Sequence, residues 1–151
     1  MRRGIALAFA AMLAACNGAP EQTYQGWIEA DLVFVGPDEA GRVEQLSVRE
    51  GDALAAGAPL FALEDELQRA DVFAAEAALA NAKQAFARAQ QLVTTGSGTQ
   101  TAFDNAQAVL REAEARLNSA RTRLARRKVA SPVAGTVQQI YFRPGELVTA
   151  G

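Results

Sequence analysis

The sequence predicts an α+β chain in which two related β halves close on each other and a long helical hairpin is inserted between them. Three observations predict this. Residues 40–57 and 134–151 are two copies of one segment: Gly41 and Gly135 lie 135 − 41 = 94 residues apart, and 8 of the 18 paired positions are identical. The stretch between the copies, residues 64–128, carries apolar residues that recur every seven positions. Short apolar runs on either side are bounded by Gly and Pro turn signals. Repeats reveal architecture before any single motif does, and a split repeat places its insertion at the waist of the β part.

The bulk numbers narrow the function. A chain of 151 residues has the length of one domain. Half of it is apolar but only 7% is aromatic, and Ala dominates, which suits a helical segment better than a thick core. A net charge of −2 makes no case for nucleic acid. With no His and one Cys, the chain alone can build no internal disulfide, His/Cys metal cluster, or Ser-His or Cys-His catalytic pair. The 17 acidic residues are scattered as on a solvated face. The chain is expected not to be an enzyme.

The N-terminus is an address. Met1-Arg2-Arg3 is cationic, and the 12 residues 4–15 are small or apolar without a charge. That is shorter than the roughly 20 residues of a membrane-spanning helix and fits a secretory signal. It ends in Leu13-Ala14-Ala15-Cys16, which resembles the bacterial lipobox. The resemblance implies a signal peptide over 1–15, cleavage before Cys16, and a diacylglyceryl group on its thiol. Each buried methylene of the acyl chains then adds about 0.8 kcal/mol of membrane affinity. The plainer alternative is an ordinary signal peptide with an incidental Cys, but the chain's single Cys stands at the one position where it is needed. Loss of Arg2 and Arg3 takes the charge from −2 to −2 − 2 = −4. Residues 16–26 then read as a tether, flexible over 17–22.

The first β half is assigned to 27–63. Residues 27–35 are β-prone and bounded by Gly36-Pro37-Asp38, so a strand is expected there. Val43, Leu46 and Val48 follow, then a turn at Glu50-Gly51-Asp52, another at Gly57-Ala58-Pro59, and a short apolar strand over 60–63. The second half, 129–151, offers Val137, Ile140 and Phe142 before Pro144-Gly145. Pro then Gly suits the middle of a type II turn, because Pro presets φ and Gly accepts a positive φ. Gly41 and Gly135 each precede a strand, where a bend or close backbone approach wants no Cβ. Gly41, Gly51, Gly135 and Gly145 are thus the structural turn positions, and the two halves are expected to form a sandwich.

The hairpin is assigned to 64–128. Glu64-Asp65-Glu66 opens it with acids suited to a helix N-terminus. Val72, Leu79, Phe86 and Val93 recur every seven residues, with Ala75, Ala82 and Ala89 between them. Thr94-Thr95-Gly96-Ser97-Gly98 breaks the pattern. Phe103, Leu110, Leu117 and Leu124 resume it, with Ala106, Ala113 and Ala120 between them. Arg126-Arg127-Lys128 supplies cations for the C-terminal dipole, and Ser131-Pro132 forbids continuation. Two heptad helices joined by a short loop predict an antiparallel coiled coil, each arm roughly 40 Å long at 1.5 Å per residue.

The Gly-x-Val…Glu/Pro-Gly-(Asp/Glu) pattern of the repeat resembles the two halves of a biotinyl/lipoyl-type domain. Such carriers present a modified Lys at a tight turn between the halves. Only Lys83 and Lys128 exist here, and neither sits in such a turn. The expectation is therefore a lipoyl-like β-sandwich (a barrel-sandwich hybrid) with no lipoyl or biotinyl lysine, and a lipid on Cys16 as the sole attached group.

A lipoyl-like domain split by a helical hairpin behind a lipobox resembles the membrane fusion proteins, the haemolysin D family of periplasmic adaptors. The likeness covers residues 24–151. It implies a non-catalytic adaptor in the periplasm, anchored to the inner membrane by its N-terminal lipid. Asn17 follows the Cys, where an Asp would have favoured inner-membrane retention in enteric-type bacteria. The implied partners are an inner-membrane transporter, ATP-driven or of the resistance-nodulation-division type, an outer-membrane duct, and further copies of the chain. Residues 24–30 look more like adaptors of ATP-driven exporters. Adaptors that dock on outer-membrane ducts often carry an Arg, a Leu four residues on and a Ser eleven residues after the Arg; Arg88, Leu92 and Thr99 occupy that spacing. Arg88 would donate to the duct's carbonyls or carboxylates, Leu92 would fill an apolar notch, and Thr99 would cap the second helix or donate across the interface. Their plain readings are a solvated Arg, a seam Leu and an ordinary cap.

The second copy reaches Gly151 before a counterpart of residues 58–63. Adaptors of this family continue into a β-barrel and a membrane-proximal domain, so the chain reads as an N-terminal fragment, a truncated product or an incomplete gene model. On that reading the β part alone is marginally stable and the hairpin survives better. The competing functions are a lipid-anchored coiled-coil envelope scaffold without a pump, a non-functional adaptor fragment, and the carrier domain that its lysines argue against.

Overall fold

The computed structural model describes residues 26–27 and 29–150. The chain divides into two compact units, Met1–Val33 and Phe34–Gly151. The expected signal peptide and lipidation site, Cys16, lie outside the described residues, as does most of the expected tether.

In the first unit, the Trp27 indole donates to Glu29 Oε1 at 2.8 Å. The strand expected over 27–35 is not formed among its described residues. The reason is physical: β-prone side chains make a strand only against a partner edge and a buried face. Here Trp27 is 84% and Leu32 61% exposed, and Phe34, which begins the second unit, is 77% exposed.

The second unit runs β1 (Gly41–Leu46), β2 (Ala53–Leu54), β3 (Pro59–Leu63), α1 (Glu66–Thr94), α2 (Gln100–Ala125), β4 (Lys128–Ala130), β5 (Gly135–Thr136) and β6 (Leu147–Val148). The strands form two antiparallel sheets, ordered β4-β3-β1-β6 and β2-β5. The class is α+β.

The repeat explains the pairing. In β1 and β6, Gly41 faces Val148 and Arg42 faces Leu147; in β5 and β2, Gly135 faces Leu54 and Thr136 faces Ala53. Each residue of one set is the 94-residue mate of a residue of the other, so each copy pairs with the opposite copy. The backbone bonds obey the same exchange. Val43 N donates to Glu146 O at 2.8 Å and Val137 N to Asp52 O at 2.9 Å. Gly145 N donates to Val43 O at 2.7 Å and Gly51 N to Val137 O at 2.8 Å. A two-fold relation between the halves follows from the duplicated sequence.

The turns match too. Asp52 N donates to Arg49 O and Glu146 N to Arg143 O, each at 3.1 Å, and Gly51 and Gly145 both have φ 91°. The acid closing each turn accepts from its first residue: Asp52 Oδ2 from Arg49 N at 2.8 Å, Glu146 Oε2 from Arg143 N at 3.0 Å. An L side chain at such a φ costs about 1–2 kcal/mol. Gly51→Ala should lower stability by that amount in chemical denaturation, while Gly135→Ala, where a Cβ meets nothing within 4 Å, should change it by less than about 0.5 kcal/mol.

Val43, Phe61 and Leu63 form the buried centre, flanked by Leu46, Leu60, Val129, Phe142 and Val148. Phe61 meets Phe142 edge-on, with ring centroids 4.7 Å apart. The two copies are covered unequally. Val43 is 1% exposed in β1, which β3 and β6 flank in the four-stranded sheet, whereas its mate Val137, just after β5 of the two-stranded sheet, is only half-buried.

α1 and α2 lie antiparallel. Phe86 and Phe103 stack near the turn, 5.3 Å apart, and Arg121 donates to Glu76 at 2.7 Å towards the base. Every apolar position expected in the facing stripe is buried or half-buried, with Ala82, Ala113, Leu117 and Ala120 the deepest. Asp65 is the N-cap of α1 but makes no side-chain cap bond. Its carboxylate accepts from Arg69 at 2.6 Å, and that bond holds the Asp65 pKa below its ordinary value.

The cation run at the end of α2 departs from expectation. Lys128 opens β4 instead of closing the helix, and the basic residue of the last turn is Arg123. Arg126 Nε sits 3.5 Å from Asp38. Arg127 is buried at 8% exposure, its Nη1 donating to Ala40 O at 3.0 Å and its Nη2 to Glu39 at 3.1 Å. The Gln68 amide orientation that satisfies both groups turns its oxygen to Arg127, accepting from Nε at 3.0 Å and also from Nη2.

Candidate functional site

The turn of the hairpin gathers the exposed residues singled out from the sequence. α1 ends by a local rule. Thr95 is its C-cap, Gly96 follows with φ 71°, Ser97 N donates to Leu92 O at 2.9 Å and Gly96 N to Val93 O at 3.0 Å. That paired bonding with a left-handed Gly is a Schellman motif. Thr94 and Thr95 hydroxyls donate back to the carbonyls of Gln90 and Gln91 at 2.8 and 3.1 Å, while the end carbonyls of Leu92 and Val93 are taken by the backbone N–H groups of Ser97, Gly98 and Gly96.

α2 begins at once. Thr99 is extended at φ −96°, ψ 147°, and its hydroxyl oxygen accepts from Ala102 N at 3.2 Å. Gln100 donates to Asp104 one turn on, at 2.9 Å. Gly98 has no room for a side chain: a Cβ there would lie 2.8 Å from Leu92 Cβ and 3.0 Å from backbone atoms of Leu92 and Val93. Gly98 was legible from the sequence only as a loop residue; the close approach that requires it comes from two helices turning back on each other within five residues.

Arg88 and Leu92 are four residues apart and share a face of α1. Both are exposed, Leu92 at 49%, while Val93 beside it turns into the stripe and is half-buried. Leu92 therefore stands outside the α1–α2 contact. Among the described residues Arg88 makes no ion pair, whereas Arg69, Arg116 and Arg121 each hold a carboxylate at 2.6–2.7 Å. Thr99 is exposed and follows Gly98, which abuts Leu92. The turn thus presents a free guanidinium, an apolar side chain and a hydroxyl whose proton is still available. These groups can bind a surface of carbonyls or carboxylates with an apolar notch. They form no catalytic constellation, and among the described residues no cluster of His, Cys, Asp or Glu could hold a metal ion.

Of the four turn glycines, Gly51 and Gly145 occupy positive-φ turns, Gly41 stands against Arg127, and Gly135 faces open space. No described helix is long and apolar enough to cross a membrane.

No family model matches the chain, and no curated protein matches it. Solved structures do. A MacA–MexA chimeric protein containing the Pseudomonas aeruginosa MexA α-hairpin domain is 27% identical, with a TM-score of 0.75 over 79% of this chain and 43% of the chimera. A candidate efflux transporter from Bacteroides eggerthii shares the fold at 17% identity, TM-score 0.71, over 76% of this chain and 35% of that one. The membrane fusion protein Spr0693 from Streptococcus pneumoniae does so at 21% identity, TM-score 0.61, over 68% and 49%. The chain thus spans between a third and a half of the length of these structures.

Proposed function

We propose that this chain, whose structural neighbours are membrane fusion proteins of the periplasmic adaptor type, is the hairpin-bearing part of such an adaptor and serves in efflux or secretion. The observation that carries the reading is the helical hairpin inserted between two exchange-paired β halves, an arrangement that superposes on the chimera with a TM-score of 0.75 at 27% identity. On this reading residues 27–63 and 129–151 are the halves of a lipoyl-like sandwich and residues 64–128 an antiparallel coiled coil. Residues 1–15 are a signal peptide, and 16–26 tether the domain to a lipid on Cys16.

The function is mechanical. An inner-membrane transporter sits at the base and an outer-membrane duct at the turn, with further copies completing the seal. Arg88, Leu92 and Thr99 dock the duct. Their support is exposure: a guanidinium free of carboxylates and a Leu outside the helix contact both gain from a docked surface, and Thr99, while capping α2, keeps its hydroxyl proton to donate. Charge-assisted bonds to such a group are worth about 1.5–3 kcal/mol.

A photo-crosslinking residue at Thr99, used in the native bacterium, tests this. The expected product joins the chain to an outer-membrane duct protein. Arg88→Glu and Leu92→Asp should each lower its yield about tenfold, the equivalent of roughly 1.4 kcal/mol. Products confined to other envelope components would instead favour a lipid-anchored scaffold without a pump. Mass spectrometry of the N-terminal peptide checks the anchor: an acyl mass on Cys16 is expected, and an unmodified thiol would remove it.

A further inference from the structure

We propose that Arg127, with Asp38, Glu39, Ala40 and Gln68, is a clasp that sets the angle of the hairpin against the four-stranded sheet. The hairpin leaves the sheet through two covalent crossings, Glu64-Asp65 on the way out and Arg126-Arg127 on the way back. Two crossings define an axis, and rocking about an axis is soft unless a third point off it is held. The segment before β1 supplies that point. Arg127 Nη1 donates to Ala40 O at 3.0 Å and Nη2 to Glu39 at 3.1 Å, and Nε donates to Gln68 in the first turn of α1. Arg126 holds Asp38 alongside, at 3.5 Å. One planar fork therefore ties the entry segment, α1 and the end of α2 together. A guanidinium presents five donors in fixed directions, which an ammonium cannot.

The burial supports a positioning role. Arg127 is the buried charged residue among the described residues, and in the other ion pairs only the Asp65 carboxylate is partly sheltered. Burying a charge rarely gains net stability even when paired, so the geometry it enforces is the better account of its place. The repeat points the same way. A Cβ on Gly41 would lie 2.7 Å from Arg127 Nη1, but one on its mate Gly135 meets nothing within 4 Å. The glycine of the first copy makes room for the guanidinium, a demand the second copy does not share.

The test is independent of the adaptor reading. In the full chain with Cys16→Ser, spin labels on Glu44→Cys in β1 and Thr101→Cys at the turn report the hairpin angle as a distance distribution by double electron-electron resonance. Arg127→Met should widen that distribution about twofold, as expected when a hinge is freed, with the helical circular dichroism unchanged. Arg127→Lys should fall between. An unchanged width in a folded Arg127→Met variant overturns the proposal. Should that variant lose its helix signal, the double variant Asp38→Ala/Glu39→Ala decides, since both carboxylates are surface groups: widening supports the clasp, and an unchanged width ends it.

Discussion

Phe61→Ala is expected to destabilise the β part by about 3–5 kcal/mol, the cost of deleting a buried aromatic ring from a site that cannot collapse. Phe61 is 4% exposed. It sits in β3 opposite Leu46 of β1 on one side and Val129 of β4 on the other, and it meets Phe142 edge-on. That last contact joins the first β half to the second, so its loss opens the boundary between them. The other fully buried members are only Val43 and Leu63, too few to close over the hole. Hydrogen exchange is the measurement of choice. Amides of β1, β3 and β6 should lose protection together while those in the middle of α1 and α2 keep theirs. Retained protection in the strands, or a cost below about 1 kcal/mol, would show that the ring is dispensable and the core misplaced.

Leu117→Ala is expected to cost about 2–5 kcal/mol, placed in the helices instead of the strands. Leu117 is 6% exposed, and its neighbours in the stripe, Ala113 and Ala120, are already small. They let α1 and α2 approach closely, but they cannot swing in to fill a cavity. The cost should therefore lie in the upper part of the range. Val109→Ala is the control on the same helix: Val109 is 52% exposed, and its truncation should shift stability by no more than about 0.5 kcal/mol. Helical circular dichroism against urea reads both. Equal effects would mean that the stripe assigned from the seven-residue recurrence is not the contact face.

The hairpin and the kinship of the two β halves were legible because each rests on a rule with a fixed period, while the exchange pairing between the copies was not read from the sequence. The seven-residue recurrence placed all fourteen stripe residues from Val72 to Leu124 on the inner face, and it separated Val93 from Leu92. The 94-residue register of the repeat anticipated the matched turns at Gly51 and Gly145. What escaped is what depends on contacts between distant residues. Residues 27–35 have strand composition, but composition supplies no partner edge. Arg126-Arg127-Lys128 looked like a helix-end charge cluster, and nothing local announces that Asp38-Glu39, 88 positions earlier for each Arg, is the surface it meets. Gly41 and Gly135 are identical in the alignment of the copies, and only the guanidinium beside one of them tells them apart. At the turn, the spacing of Arg88, Leu92 and Thr99 was readable, and their exposure was not.

The exchange pairing dictates an order of events on the folding pathway. β1 cannot complete its sheet until β6, a hundred residues downstream, has been made, and β2 waits likewise for β5. Closing so long a loop by diffusion alone is entropically slow. α1 and α2 need only local contacts and form within microseconds, and once zipped they bring Glu64 and Lys128 to one place. The hairpin is then a clamp that shortens the remaining search to 64 − 41 = 23 residues on one side and 148 − 128 = 20 on the other. During synthesis the first copy therefore emerges with its apolar face uncovered and stays so until the second arrives, which makes that interval the period when a holdase chaperone has most to bind.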